Sequence, residues 1–142
     1  MKARYGLVIL LVAVLALTGV GCKATGGGWF IDELTQHKIT FGFNGQSTSD
    51  EQVATAKGQF QLIDHDLKTR IHGTFTGTYR DSASEFWGTC SINGAGDYDL
   101  YLFCGDNGEP GPTAGDYIEI GIGWPYDYKY QGSLRGGNIK FH

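Results

Sequence analysis

Apolar and polar residues alternate with a period of two through most of the chain after Trp29. The segment HKITFGFN places Ile39, Phe41 and Phe43 on one side, and residues 116–122 align three isoleucines in the same way. Successive side chains of a strand point to opposite faces, so this pattern is typical of strands that are buried on one side. The chain is therefore expected to be an all-β protein.

Turn-forming residues separate the alternating segments and indicate tight connections. The pattern predicts a single antiparallel domain of about eight to nine short strands, arranged as a small meander β-barrel, with a two-sheet β-sandwich as the alternative. Residues 50–57 could instead form two helical turns or a loop. The predicted strands cover residues 37–44, 57–63, 67–78, 85–92, 98–104, 116–122, 126–134 and 138–141.

Glycine contributes 23 of the 142 residues, about twice its ordinary usage of ~7%. Several glycines fall inside predicted strands, among them Gly42, Gly58, Gly73 and Gly88. Glycine within a strand marks a bulge, a sharp bend or a close approach of backbone. These positions predict a strongly curved sheet and favour the barrel over the sandwich.

The first 21 residues have the pattern of a secretory signal peptide. Lys2 and Arg4 precede the apolar run of residues 7–17, which is shorter than the ~20 residues of a membrane-spanning helix. Small residues then lead to Cys22, which occupies the position of a lipidated cysteine, although Gly19 departs from the usual aliphatic residue of that motif. Ordinary signal cleavage is the alternative. Residues 22–28 are predicted to be the lipidation site and a flexible tether, and residues 29–142 to be the domain.

The charge balance limits the class of partner. The whole chain carries a formal net charge of −4, and removal of Lys2 and Arg4 with the signal makes it more negative. An acidic surface without a basic cluster argues against binding of nucleic acid or of anionic lipid. Membrane contact is expected only through a lipid anchor, and the protein is expected to be extracytoplasmic, either anchored or secreted.

Two cysteines remain in the predicted domain. Cys90 and Cys104 lie on adjacent predicted strands and share the parity of inward-facing residues. An exported protein favours a disulfide between them. A simple hairpin register would separate them by ~13 Å, so the bond requires a bulge or a wider loop, and two buried thiols are the alternative.

Two segments are candidate binding sites. Trp124, Tyr126, Tyr128 and Tyr130 alternate with other residues and would line one face of a strand, either as a surface that stacks on a ligand such as a sugar or as part of the core.

The second segment is a polar loop. Asp106, Asn107, Glu109 and Asp116 offer oxygen ligands of the kind that calcium prefers, but such residues are also ordinary turn formers. Calcium is the only cofactor that the sequence suggests.

Catalytic patterns are absent from the sequence. Asp64-His65-Asp66 falls where a hairpin should turn, which favours a structural role. The histidines show no pair at metal-ligand spacing, and no nucleophile-elbow motif occurs. The chain is therefore not expected to be an enzyme. The histidines are His37, His65, His72 and His142.

Six phrases in order resemble the post-COAP type β domain of secreted bacterial proteins, here as a stand-alone exported protein. The resemblance covers residues 26–142 and implies an extracytoplasmic, non-catalytic module without catalytic residues to carry over. The phrases are GGGW at 26–29, TFGFN at 40–44, GQFQLIDH at 58–65, IHGT at 71–74, DNGEPG at 106–111 and GGNIKFH at 136–142.

The leading functional hypothesis is a binding or accessory module that recognises a glycan, a cell-wall component or a protein at the cell surface. A small hydrolase that uses carboxylates of residues 97–119 is one alternative. A β-barrel that carries an apolar small molecule is another.

Overall fold

The computed structural model describes residues 23–46, 54–80, 83–123 and 126–141. These residues form nine antiparallel strands in one sheet and a single short helix, α1 (Gly111–Ala114). None of the described helices is long and apolar enough to cross a membrane. The strands are β1 (Lys23–Ile31), β2 (Lys38–Gln46), β3 (Ala54–Asp64), β4 (Thr69–Arg80), β5 (Ala83–Ile92), β6 (Ala95–Gly105), β7 (Tyr117–Ile122), β8 (Tyr128–Ser133) and β9 (Gly136–Phe141).

The strand order is β8-β7-β6-β5-β4-β3-β2-β1-β9. Strands β1 to β8 therefore follow one another as a meander, and β9 returns to pair with β1. The predicted all-β antiparallel fold is confirmed. All nine strands belong to one curled, barrel-like sheet, so the two-sheet sandwich is not the arrangement found.

The curl brings the end of β1 against β8. The backbone N–H of Glu33 donates to the carbonyl of Gln131 over 2.9 Å. In the other direction, the N–H of Gln131 donates to the Asp32 carboxylate over 2.8 Å. A buried side chain thus supplies an acceptor where the residues that follow β1 meet β8, because an unpaired backbone group there would be costly.

The inward positions of the strands fill the space inside the curl. Phe75 and Phe86 approach each other to 4.7 Å between ring centroids, and Phe43 packs at 6.4 Å from each of them. Side chains therefore occupy the interior around these rings. The largest fully buried side chains are Phe30, Phe60, Phe86, Ile39, Leu62, Ile71, Leu100, Leu102, Ile118, Ile120, Ile122 and Ile139.

The predicted flexible tether is wrong for residues 23–28, which form most of β1. This strand pairs with β2 on one side and with β9 on the other, so its backbone groups have partners on both sides. The glycines that suggested flexibility instead allow close packing, since a Cβ on Gly28 would collide with the Gly136 carbonyl oxygen of β9. The folded domain thus includes Lys23 rather than starting at residue 29.

Some sequence predictions fall on other parts of the chain. The signal peptide at 1–21 and the lipidation site Cys22 lie outside the described residues. Of the possible helix at 50–57, residues 54–57 belong to β3, and the remainder lies outside the described residues.

Candidate functional site

The predicted disulfide between Cys90 and Cys104 is wrong, because both residues are buried free thiols. In the β5–β6 ladder Cys90 pairs with Tyr98, whereas Cys104 pairs with Ser84. Tyr98 lies roughly 20 Å from Cys104 along β6 at the ordinary strand rise. A disulfide requires Cα atoms within about 7 Å. The irregularity in the β5–β6 register lies beyond Cys90 towards the turn and does not bring the cysteines together.

Burial also makes these thiols unreactive. It raises the pKa of Cys90 to about 11, with a further contribution from Asp97 and Asp99, and it raises the pKa of the fully buried Cys104 as well. A raised pKa lowers the thiolate fraction at any given pH, to about one in a thousand for Cys90 at pH 8.

We expect neither Cys90 nor Cys104 of the folded protein to react with iodoacetamide at pH 8, and both to react after unfolding in urea. Peptide mass spectrometry of each cysteine, with and without urea, measures this directly. Modification of either thiol under native conditions, or a Cys90–Cys104 cross-linked peptide, would contradict the expectation.

The carboxylates of the loop between β6 and β7 accept hydrogen bonds from the backbone and have a structural role. The buried Asp116 accepts the N–H groups of Asn107 and Ile139 over 2.8 and 2.9 Å. Asp106 accepts those of Gly108 and Phe141 over 3.0 and 3.1 Å. These bonds tie the loop to β9, because each carboxylate satisfies backbone donors that strand pairing leaves free.

The remaining members of the predicted calcium set are also engaged. The Asn107 amide donates to the Gly115 carbonyl over 2.7 Å, and Glu109 forms an ion pair with Lys140 over 2.9 Å. Among the described residues, the acidic members of this set do not form a group with converging ligand atoms. The prediction of a calcium site at Asp106, Asn107, Glu109 and Asp116 is thus corrected: these side chains form hydrogen bonds and an ion pair that hold the loop in place.

The predicted aromatic strip is divided between the two sides of the sheet. Tyr130 is buried in the core, whereas Tyr126 and Tyr128 are 48% and 43% exposed. Tyr126 lies in the turn before β8 with a φ of 65°, which turns it away from the line of the strand. Trp124 lies outside the described residues. The sequence allowed either a core or a surface position for these aromatic residues, and the described ones include both kinds.

Tyr126 instead joins two aromatic residues of other strands. Trp87 of β5 pairs with Tyr101 of β6, and their ring centroids lie 5.9 Å apart. The Tyr126 ring lies 5.8 Å from Tyr101 on its other side. It rests above Gly121, the ladder partner of Tyr101, where any Cβ would collide with the ring. The missing side chain of Gly121 thus provides the space for the third ring.

These three rings line an open groove of about 330 Å³, which we call the aromatic groove. Its other lining residues are Gly88, Asp99, Leu100 and Gly123. Trp87 is 51% exposed. A row of partly exposed rings beside a carboxylate offers both an apolar face and hydrogen-bonding groups at its edge.

A carboxylate fixes the central ring of the row. The Tyr101 hydroxyl donates to Glu85 over 3.1 Å. Burial, then Glu85, raises the pKa of Tyr101 to about 12, so the phenol stays protonated at neutral pH. Nearby on β7 and β8, Lys129 and Glu119 form an ion pair over 3.1 Å. The groove therefore has a rigid ring at its centre and charged groups around it.

A second groove of about 320 Å³ lies further along the outer face. Asn44, Gln59, Gln61 and His72 contribute its polar lining above glycines. We call it the amide groove. Its aromatic residues, Phe43 and Phe60, belong to the core and are only 6% and 1% exposed. It therefore lacks the exposed ring faces that distinguish the aromatic groove.

A different polar cluster lies where β3 ends and β2 begins. The Nδ1 atom of His37 lies 2.9 Å from Oδ2 of Asp64. With Asp66, these residues place one ligand atom each within 4.8 Å of one another. Asp64 is fully buried, while Asp66 is exposed. We call these three residues the histidine–carboxylate cluster.

The charges in this cluster support one another. The hydrogen bond to Asp64 raises the pKa of His37, and the charges of Asp66 and Asp32 act in the same direction. Burial opposes ionisation of Asp64, but the bond to His37 and the backbone N–H of Leu67 outweigh it and lower the pKa of that carboxyl. His65 lies apart from this arrangement and bonds the Thr40 hydroxyl over 3.0 Å.

Sequence reasoning missed both groupings for a common reason. Trp87 and Tyr101 lie on separate strands, and His37 is far from Asp64 in the chain. One signal was available, since Trp87 shares the parity of Glu85 and Thr89 on β5 and must face outward with them. Which strand supplies the neighbouring ring depends on register.

Comparison with protein-family models, with curated proteins and with solved structures gave no match to this chain. Any assignment of function therefore rests on the geometry of the sites themselves.

Proposed function

We propose that this protein is a non-catalytic, extracytoplasmic binding module that receives a glycan in the aromatic groove. The observation that carries this proposal is the row formed by Trp87, Tyr101 and Tyr126, which spans adjacent strands on the outer face with ring spacings of 5.9 and 5.8 Å. Sugar rings present flat C–H faces, which stack on aromatic rings, and an edge of hydroxyl groups.

The polar surroundings suit a hydroxyl-rich ligand. Asp99 lines the groove, and Glu85 is already hydrogen-bonded to the central Tyr101. Carboxylates accept hydrogen bonds from sugar hydroxyls, while the ring faces remove apolar surface from water. Exposed aromatic residues grouped in a polar setting commonly mark a binding surface.

The location is proposed from the sequence. Residues 1–21 have the charge and apolar pattern of an export signal, and Cys22 follows at a lipidation position. The resemblance to the post-COAP type β domain points to the same setting. A lipid-anchored or secreted module would meet glycans of the cell envelope.

The two rival functions receive less support. A hydrolase that uses the loop carboxylates of residues 97–119 would need Asp106 and Asp116 to be free, but each of them accepts two backbone N–H groups. A carrier of an apolar molecule would need an empty interior, but phenylalanine and aliphatic side chains pack the inside of the curl.

We expect Trp87→Ala to weaken glycan binding by about tenfold or more, equivalent to ~1.4 kcal/mol, and Tyr126→Ala to weaken it as well. Both substitutions remove ring faces that would stack on the sugar. The full chain is first screened on a glycan array and against isolated cell-wall polysaccharide. Retained ligands are then titrated by calorimetry.

Two control variants change the outer face of the sheet outside the aromatic groove. One removes an exposed aromatic ring, and the other removes a polar side chain. Tyr98→Ala removes a tyrosine that is 39% exposed and does not line the aromatic groove, and Gln61→Ala alters the amide groove. Both should bind as the unsubstituted protein does. Retention of no glycan, or equal losses in Tyr98→Ala and Trp87→Ala, would contradict the proposal.

A further inference from the structure

The histidine–carboxylate cluster has the composition and spacing of a metal site. His37 offers an imidazole nitrogen, and Asp64 and Asp66 each offer carboxylate oxygens, with one ligand atom of each within 4.8 Å of the others. The 2.9 Å between His37 Nδ1 and Asp64 Oδ2 is somewhat shorter than the separation of about 3.4 Å that neighbouring ligands have around a tetrahedral ion bound at ~2.0–2.2 Å, so these two atoms need to separate only slightly to hold an ion.

Hydrogen bonds to the backbone hold both carboxylates in place. Oδ1 of Asp64 accepts the N–H groups of Asp66 and Leu67 over 3.0 and 3.1 Å. Oδ2 of Asp66 accepts the N–H of Lys38 over 3.0 Å. Outer hydrogen bonds of this kind orient metal ligands, and each carboxylate still has lone pairs to offer.

A buried hydroxyl lies beside the cluster. Tyr130 is 3% exposed, and its Oη atom has no partner at full hydrogen-bond geometry within the described part of the chain. Burial, then the charge of the Asp64 carboxylate and a hydrogen bond to it, raises the pKa of the Tyr130 phenol. The phenol is therefore directed at Asp64, where a metal-bound water or a small shift of the carboxylate would complete its hydrogen bond.

The surroundings favour a cation and give it access. Asp32 adds a further negative charge that acts on His37. The nearest lysine in the chain, Lys38, extends its ammonium group over the Trp29 ring at 5.0 Å. The His37 side chain is 25% exposed, and Asp66 is exposed, so an ion can reach the ligands from solvent.

We propose that His37, Asp64 and Asp66 bind a divalent transition-metal ion, with zinc as the best match. Imidazole nitrogen with carboxylate oxygen suits zinc and its neighbours, whereas calcium takes six to eight oxygen ligands and magnesium keeps mostly water. The ion takes the place of the proton between His37 Nδ1 and Asp64 Oδ2. It would join the start of β2 to the turn after β3. This proposal is independent of glycan binding.

The test is calorimetric titration of the full chain, stripped with a chelator, with zinc chloride, calcium chloride and magnesium chloride separately. We expect saturable zinc binding at one ion per chain and no comparable binding of calcium or magnesium. Thermal unfolding should shift upward with zinc, because an ion bound only by the folded state stabilises that state. Cobalt(II) should give a visible spectrum of nitrogen and oxygen ligands without thiolate charge-transfer bands.

Substitutions locate the ion. Asp66→Asn removes one charged ligand but keeps an oxygen for the Lys38 N–H, and it should weaken zinc binding by about tenfold or more. His37→Ala should weaken it further. His65→Ala and His72→Ala remove other exposed imidazoles and should leave binding unchanged.

Three results would overturn the proposal: no saturable zinc binding, zinc affinity unchanged in Asp66→Asn, or loss of zinc binding in His65→Ala. Should His37→Ala fail to fold, Asp66→Asn still decides the matter, because its side chain is exposed and its backbone contact is retained.

Discussion

Gly137→Ala is expected to lower the free energy of unfolding by about 3 kcal/mol or more. Gly137 has a φ of 89°, which alanine adopts only with strain. Its missing Cβ also leaves room for β1, since a Cβ there would collide with the Gly27 carbonyl oxygen and the Gly28 Cα atom. Both obstacles are backbone atoms and cannot rotate away. Urea unfolding followed by circular dichroism measures the change.

Substitutions of two other glycines distinguish the cost of backbone strain from the cost of steric collision. Gly94 has a φ of 79° but open space around its would-be Cβ, so Gly94→Ala should cost only the strain, about 1 kcal/mol. Gly42 has neither problem, because its nearest neighbour would be the Gln61 amide at an ordinary 3.5 Å, and Gly42→Ala should be close to neutral. Equal costs at Gly137 and Gly94 would show that close packing of β1 against β9 is not the cause.

Asp32→Ala is expected to destabilise the fold by about 2–3 kcal/mol. The Asp32 carboxylate is fully buried. It accepts the N–H and hydroxyl of Thr35 over 2.8 and 2.6 Å and the N–H of Gln131 over 2.8 Å. Its removal leaves these donors without their acceptor where the residues that follow β1 meet β8. Chemical unfolding gives the energy, and hydrogen exchange of the Gln131 amide gives the location.

Two control variants, one at Asp32 itself and one at an exposed aspartate, are measured in the same way. Asp32→Asn keeps one acceptor oxygen and should cost less than Asp32→Ala. Asp99→Ala removes an exposed carboxylate and should change stability little. If the Gln131 amide keeps its protection in Asp32→Ala, the carboxylate does not hold β8 against β1.

The strands could be predicted because burial on one side imposes its period on the sequence. Ile118, Ile120 and Ile122 alternate in the chain and are all buried in β7. Residues 23–28 gave no such signal, because glycine has no side chain to alternate. Their place in β1 depends on neighbours supplied by β2 and β9.

The sites were harder to predict, because residues distant in sequence form them. Tyr126 and Tyr130 have the same parity, yet one lies in a turn on the outer face and the other in the core. A turn with a positive φ interrupts the strand between them, which alternation alone does not reveal. Cys90 and Cys104 likewise share a face, but register holds them far apart.

The sequence by itself determined that this chain is an antiparallel β protein with a curved sheet, since alternation and in-strand glycine are local properties. Only the tertiary structure decided which side chains meet. Strand register places Trp87 beside Tyr101. Gly121 has no side chain, which leaves space for the Tyr126 ring. The turn after β3 places Asp66 close to His37. These contacts depend on hydrogen bonding and packing between distant segments, and both candidate sites arise from them.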